Sequence, residues 1–301
     1  MIALDEAILT NAAGMVKTLE QGRKLLNSAV TRITLGSYTL LPRVGNIEDN
    51  YYYDVVTGAA YNSKGLDNRG FLELLTWLPA FYEECRAAGK ELAVSLAGFS
   101  PEEYGEMAAK VAPYCDRVEV NAGCGNVWLD SVQKPIPSYE PSLLHAVLQK
   151  VGSGVRQRPM VGVKVSPVPD HLIDPLARVL RSYPFVVEAV GTNTEPNQSA
   201  KRPDGSEALA WREKEGSEVK HTGGMSGKLL KPAAMRVVGQ LIDLVPRLKF
   251  IYCGGISSGQ DFIDGLNLGA AGGAIGTAFF ESSERLFQDV FIEASDILEA
   301  A

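Results

Sequence analysis

Near its C-terminal end the chain reads Tyr252-Cys253-Gly254-Gly255-Ile256-Ser257-Ser258-Gly259-Gln260-Asp261 and then Gly269-Ala270-Ala271-Gly272-Gly273-Ala274-Ile275-Gly276-Thr277. Two apolar strands each stop in a turn of small residues. Glycine lets the backbone come close to a ligand, and a loop that opens a helix offers free N–H groups to an anion. Either turn alone could be a plain tight turn. As an ordered pair they read as a phosphate cradle of the kind that (β/α)8 barrels build from the loops after strands seven and eight.

Working outward, short β-branched runs alternate with helical segments, the signature of a parallel sheet with crossover helices. Strands are expected at 31–35, 92–96, 117–120, 161–165, 185–190 and 248–252, with two more near 8–9 and 273–275. That makes eight, the number a closed TIM barrel needs. Helix patterns fall at 101–111, 141–151, 175–182, 232–244 and 259–268, several of them opened by a proline, which is a start signal in the first turn. Residues 38–66, 127–139 and 195–228 exceed the minimal repeat. Each follows an expected strand, so in a barrel they would wall or cover the C-terminal face, where active sites lie.

At 301 residues, with 46% hydrophobic and 22% charged side chains, the chain has the make-up of one globular α/β domain of barrel size spanning 1–301. A net charge of −7 gives no positive field to attract nucleic acid or an anionic membrane. Residues 1–6 lack the basic start and apolar core of a signal peptide, and no apolar run is of spanning length. A cytoplasmic protein with a small-molecule partner is the expectation. Cys85, Cys115, Cys124 and Cys253 lack metal-ligand spacing, and His145, His171 and His221 are scattered, so no metal site is expected.

A barrel draws its chemistry from strand ends. Lys164 interrupts the apolar run Val161-Gly162-Val163-Lys164-Val165 and shares a side with Gly162, which points it to the barrel interior. A buried ammonium is costly without an acceptor, so a ligand oxygen is the natural partner. Asn121 ends its strand, and Cys124 follows in the small-residue loop Asn121-Ala122-Gly123-Cys124-Gly125-Asn126. Such a thiol can serve as base or nucleophile, or can simply be packed. Asn193 and Thr194 could hydrogen-bond a planar polar ring or form a turn. The run Tyr51-Tyr52-Tyr53 reads equally as packing, interface or site.

In this order the residues resemble the class 1 dihydroorotate dehydrogenase family, over nearly the whole chain. Asn11-Ala12-Ala13-Gly14 is similar to the family's opening flavin turn, Asn62-Ser63-Lys64-Gly65-Leu66 to its substrate loop, and Asn121 to Asn126 to its Asn-x-x-Cys-x-Asn catalytic motif. Val163-Lys164-Val165-Ser166-Pro167 resembles the flavin-lysine strand. Gly223-Gly224-Met225-Ser226-Gly227, Cys253-Gly254-Gly255-Ile256 and Ile275-Gly276-Thr277 resemble the phosphate region. The resemblance implies FMN, with its phosphate on Gly227, Gly254, Gly255, Gly276 and Thr277, its ring near Ala13, Gly14, Asn121 and Lys164, and further contacts from Gly36 and Asn193. It also implies that (S)-dihydroorotate gives a proton to Cys124 and a hydride to flavin N5. Asn62, Asn121, Asn126, Asn193 and Thr194 would hold the substrate's amide edges, Lys64, Gly65 and Leu66 would complete its site, and residues 127–139 would close over it. Residues 134–140 resemble the fumarate-using subclass, which implies a homodimer carrying FMN alone.

Three departures stand out. Where the family has a Lys-Ser pair that contacts flavin and substrate, this chain has Leu35-Gly36. Lys64 replaces an apolar residue and is expected either to restore the lost charge or to recognise a different acid. Gly125 replaces a proline and is expected to loosen the cysteine loop. Alternatives are an FMN oxidoreductase for another dihydropyrimidine or an enoate, a flavin-binding barrel without catalysis, and a flavin-free isomerase or lyase for a phosphorylated metabolite.

Overall fold

The first strands, β1 (Ile8–Asn11) and β2 (Arg32–Tyr38), flank helix α1 (Leu19–Leu25), whose start is fixed by a capping box between Thr18 and Gln21. An excursion follows with β3 (Ile47–Asp49), β4 (Tyr51–Asp54) and β5 (Ala59–Asn62). The regular alternation resumes with α2 (Phe71–Ala87), β6 (Glu91–Leu96), α3 (Pro101–Val111) and β7 (Arg117–Asn121). After the short hairpin β8 (Trp128–Leu129) and β9 (Val132–Gln133) come α4 (Pro141–Gly154), β10 (Met160–Val165), α5 (Asp170–Arg181) and β11 (Val186–Gly191). A third excursion holds β12 (Glu195–Gln198), β13 (Ala210–Arg212) and β14 (Gly223–Gly227). The chain ends with α6 (Lys231–Leu244), β15 (Lys249–Tyr252), α7 (Gly259–Asn267), β16 (Gly272–Ile275), α8 (Thr277–Phe280) and α9 (Arg285–Glu299). This computed structural model describes residues 4–155 and 160–300; Met1 to Ala3, part of the stretch read for a leader, lie outside them.

Eight strands, β1, β2, β6, β7, β10, β11, β15 and β16, pair in parallel and close into a barrel with helices outside, a (β/α)8 TIM barrel. Gly272 permits the closure: a Cβ there would lie 2.1 Å from the Ile8 carbonyl oxygen. Strand alternation sorts the side chains. Ile33, Leu35, Val118, Val120, Val163 and Val165 join the main hydrophobic core with apolar helix faces, such as Tyr104, Met107 and Val111 of α3. Arg32, Thr34, Glu119, Lys164 and Glu188 occupy the alternate positions and are buried as well.

Near the strands' N-terminal ends the polar interior is held by charge. Arg32 Nη1 lies 2.7 Å from Glu188 Oε1, with both side chains under 5% exposed, and Arg32 Nη2 lies 2.8 Å from Glu91. Burial opposes the charge on Arg32, and the two glutamates outweigh it and raise the guanidinium's pKa.

The eight strands fall where the sequence places them, most of them one or two residues longer. Pro175 corrects one expectation, since α5 begins at Asp170 and carries this proline inside it rather than in its first turn. The three long segments follow β2, β7 and β11 and are built of strands. β4, β5, β14 and β12 make an antiparallel sheet, and β13 pairs with β3. Arg212 reaches Glu48 at 3.0 Å, and the N–H groups of Asp130 and Ser131 donate to Glu213 at 2.8 and 2.9 Å, so the three excursions brace one another.

Removing the arginine of the buried pair leaves Glu188 with Arg117, at 3.9 Å, as its remaining ion-pair partner among the described residues. Arg32→Met is therefore expected to destabilise the protein by about 3–5 kcal/mol, measured by urea unfolding; a loss under about 1 kcal/mol would show that the pair does not hold the barrel floor.

Candidate active site

One cavity opens at the C-terminal ends of the barrel strands, walled by their following turns and by the first and third excursions. Lys17, Lys64, Lys164 and Lys228 line it, and Asp67 is its single acidic residue among the described residues. In a chain with net charge −7, this is a local field for anions.

The two C-terminal glycine turns meet at one end. Gly227, Gly254, Gly255, Gly276 and Thr277 all line the cavity. The N–H groups of Gly254, Gly255, Gly276 and Thr277 have no acceptor among the described residues. Gly227 and Gly255 have φ of +79° and +84°, and a Cβ on Gly255 would lie 3.0 Å from the Gly227 carbonyl oxygen. The turn after β15 is fixed by Asp261, which accepts from Ser257 N at 2.9 Å and meets Lys231 at 2.5 Å. Burial acts against the Asp261 carboxylate, but Lys231 and the serine donors hold its pKa below the usual value.

Across the cavity floor lies Lys164, 4% exposed, with no hydrogen bond or ion pair to the described residues. Ala13 and Gly14 form the adjoining wall, and a Cβ on Gly14 would meet nothing within 4 Å. Asn121 stands beside them as a hub. Its Oδ1 accepts from Asn193 Nδ2 at 2.9 Å and Gly123 N at 3.2 Å, and its Nδ2 donates to Ser37 Oγ at 2.8 Å. With that bond accepted, Ser37 donates to Ser95 Oγ at 2.8 Å and Ser95 donates to Glu119 at 2.7 Å. This one-way chain anchors the Asn121 amide to a buried carboxyl. Burial pushes the Glu119 carboxyl up, against the pull of Lys164.

Asn62, Lys64, Gly65, Leu66, Asn126 and Thr194 line the same cavity. Asn126 Nδ2 donates to Asn62 Oδ1 at 3.3 Å. The backbone N–H groups of Lys64, Gly65 and Leu66 have no acceptor among the described residues, and successive free N–H groups of this kind can receive an anionic group. Cys124 lines the same cavity as these residues and Lys164. Burial pushes its thiol above the ordinary value, while Asn126 N–H and the ammonium groups of Lys134, Lys164 and Lys17 pull it down. Of the other thiols, Cys85 and Cys115 are packed in the core, and Cys253 is buried but borders the cavity.

Several expectations need correcting. Gly36 is not on the cavity wall: its N–H donates to Val16 O at 2.8 Å, its carbonyl accepts from Gly14 N–H, and a Cβ would lie 2.5 Å from Ser95 O. The next residue, Ser37, takes the wall position. None of residues 127–139 lines the cavity: Asp130 and Ser131 at the tip of the β8–β9 hairpin are tied to Glu213 and Lys214 of the third excursion, and Ser138 Oγ donates to Ala122 O at 2.8 Å. Gly125 is closely packed. A Cβ there would lie 2.7 Å from Pro196 Cβ, and its carbonyl accepts from Gln133 Nε2 at 2.5 Å. Lys64 Nζ lies 5.2 Å from the ring centroids of both Tyr51 and Phe280. Tyr51 and Tyr53 of the tyrosine run line the site, and so do Lys17, Ser37 and Thr192, which no sequence motif marks.

With burial dominating at Cys124, alkylation by iodoacetamide is expected to be slow at pH 7 and to climb about tenfold per pH unit through the mildly alkaline range. Cys85 and Cys115 should stay protected. Peptide mass mapping against pH checks this, and a pH-independent rate would mean a thiolate already formed at neutrality.

Comparison with known proteins agrees with this geometry. The family model described as Dihydroorotate dehydrogenase matches residues 5–298. A protein of Trypanosoma brucei brucei named "Dihydroorotate dehydrogenase (fumarate)" is 30% identical over 294 residues, covering 96% of this chain and 88% of its own length. The Saccharomyces cerevisiae protein of the same name is 28% identical over 302 residues, covering 96% and 89%. The crystal structure of DHODH from Eimeria tenella in complex with ferulenol superposes with a TM-score of 0.80 at 19% identity, over 97% of this chain and 81% of that one, which speaks for the fold. The chain belongs to the dihydroorotate dehydrogenase family of oxidoreductases.

Proposed function

We propose that this single-domain protein is an FMN-dependent dihydroorotate dehydrogenase that oxidises (S)-dihydroorotate to orotate and passes the electrons to a soluble acceptor. Fumarate is the acceptor printed in the names of its relatives. The observation that carries the reading is the meeting, in one cavity, of free N–H groups at the glycine turns, an unpartnered buried lysine, a cysteine and four asparagines. The donor set fits FMN. Gly254, Gly255, Gly276 and Thr277 would hold the phosphate with Gly227 giving clearance, and Lys164 would meet a ring-edge acceptor. Ala13, Gly14 and Asn193 would border the ring. Bound FMN would supply the two-electron acceptor, at the ring nitrogen that takes the hydride.

The chain's own residues do the rest. Asn62, Asn126, Asn193 and Thr194 present amide and hydroxyl groups to the substrate's pyrimidine edges. The N–H groups of Lys64, Gly65 and Leu66 receive its carboxylate. Cys124 then takes the proton from one carbon as hydride leaves the adjacent carbon, and its thiol returns that proton to water. Because burial raises this thiol, the base form grows with pH, so the rate of flavin reduction should rise from neutral pH into the alkaline range. A homodimer, which the resemblance of residues 134–140 implies, and a cytoplasmic location both belong to this proposal.

A second reading, an FMN oxidoreductase for a different acid such as another dihydropyrimidine or an enoate, is favoured by Leu35, wholly buried in the apolar core where the family carries a cation. Anaerobic addition of dihydroorotate to the FMN-loaded protein separates the two. Bleaching of the visible flavin band is expected, slowed about 10²–10⁴-fold in Cys124→Ser. A flavin that stays yellow would move the proposal to the second substrate class.

A further inference from the structure

The cavity holds four lysines, and three are accounted for by position. Lys164 lies on the floor, Lys64 stands over Tyr51 and Phe280, and Lys228 follows Gly227 at the glycine-turn end. The fourth, Lys17, comes from the turn after β1. Its backbone is pinned against the end of β2, because Val16 O accepts from Gly36 N at 2.8 Å and Lys17 O accepts from Tyr38 Oη at 2.8 Å. It therefore stands beside the stretch Leu35-Gly36, which offers no cation: Leu35 is fully buried and Gly36 is closed off by Ser95 O.

The Lys17 side chain reaches Asp67. Its Nζ lies 2.8 Å from Asp67 Oδ1 and 2.8 Å from the Asp67 carbonyl oxygen, and the side chain is 20% exposed. Those bonds use two of the three ammonium hydrogens. Asp67 directly follows the three residues whose N–H groups lack acceptors, and it too lines the cavity. The Lys17 ammonium also acts electrostatically on Cys124.

We propose that Lys17 is the cation that selects a carboxylate substrate in this protein, delivered from the β1 turn in place of one from β2, and that Asp67 aims it while offsetting part of its charge. The part concerning the substrate rests on the reading of the cavity as a dihydroorotate-type site. The opposing account is a staple, in which the Lys17–Asp67 pair only ties the 62–67 loop to the barrel. The two accounts differ in sign. A staple fails in the same way whichever partner is removed. A cation with an aiming carboxylate responds oppositely, since losing Lys17 weakens the pull on an incoming anion and losing Asp67 strengthens it.

Cys124 reports this field without any need for the substrate. Iodoacetate and iodoacetamide alkylate the same thiol and differ in carrying or lacking a carboxylate, so the ratio of their rates at Cys124 measures how the cavity treats an anion. In the FMN-loaded protein, the iodoacetate-to-iodoacetamide ratio is expected to fall roughly five- to tenfold in Lys17→Met, the effect of one charge in a partly solvated site. It should rise several-fold in Asp67→Asn and stay within about twofold of the parent in Lys17→Arg, where the charge is kept. A ratio unchanged in Lys17→Met, or one that moves the same way in Lys17→Met and Asp67→Asn, overturns the proposal. If Lys17→Met does not fold, a ratio that fails to rise in Asp67→Asn overturns it alone. Dihydroorotate bleaching is read separately: opposite shifts with no bleaching uphold Lys17 as the carboxylate cation and overturn only the dihydroorotate reading.

Discussion

Lys164 sets the terms for the rest of the molecule. An ammonium inside a barrel costs several kcal/mol unless an acceptor meets it, and among the described residues none does so within hydrogen-bonding distance. Nearby carboxyls are engaged elsewhere: Glu119 accepts from Ser95, and Glu188 is paired with Arg32. The lysine's charge is thus held over for a ligand. The single acid on the cavity wall, Asp67, is itself paired with Lys17. A net acidic protein thereby keeps one positively biased cavity at the mouth of its barrel, where a phosphorylated ring cofactor and a carboxylate substrate can share the field.

Positioning around that lysine is achieved with hydrogen bonds of fixed direction. The run from Asn121 through Ser37 and Ser95 to Glu119 orients the amide that also receives Asn193. The excursions above the barrel support one another through Arg212–Glu48 and the Glu213 contacts, which makes the cavity's rim a braced sheet. Rigidity of this sort keeps reacting groups within the narrow geometry that proton and hydride transfer require.

The barrel was legible because its strands are short apolar runs separated by helical segments that open with proline, as at Pro101 and Pro141. Lys164 was legible for the same reason, as a charge in register with the interior. Other features depend on contacts that no local pattern displays. Pro175 looks like a helix start, yet α5 accommodates it in its interior. Gly125 looks like a flexible hinge until Pro196, far along the chain, is seen against it. Gly36 and Ser37 are adjacent in sequence, and only the pairing of Gly36 with Val16 decides which of them faces the cavity. Lys17 sits between a glycine turn and a helix cap and acquires its meaning from Asp67, fifty residues on.

On the proposed function, Lys164 is kept unpaired to stabilise charge on the reduced flavin. The direct measurement is the midpoint potential of bound FMN in the parent protein and in Lys164→Met, by anaerobic spectroelectrochemical titration. The account expects the potential to fall by tens of millivolts when the ammonium is removed, with about 30 mV corresponding to 1.4 kcal/mol in a two-electron couple. An equal potential in the two proteins, each fully loaded with FMN, would contradict it.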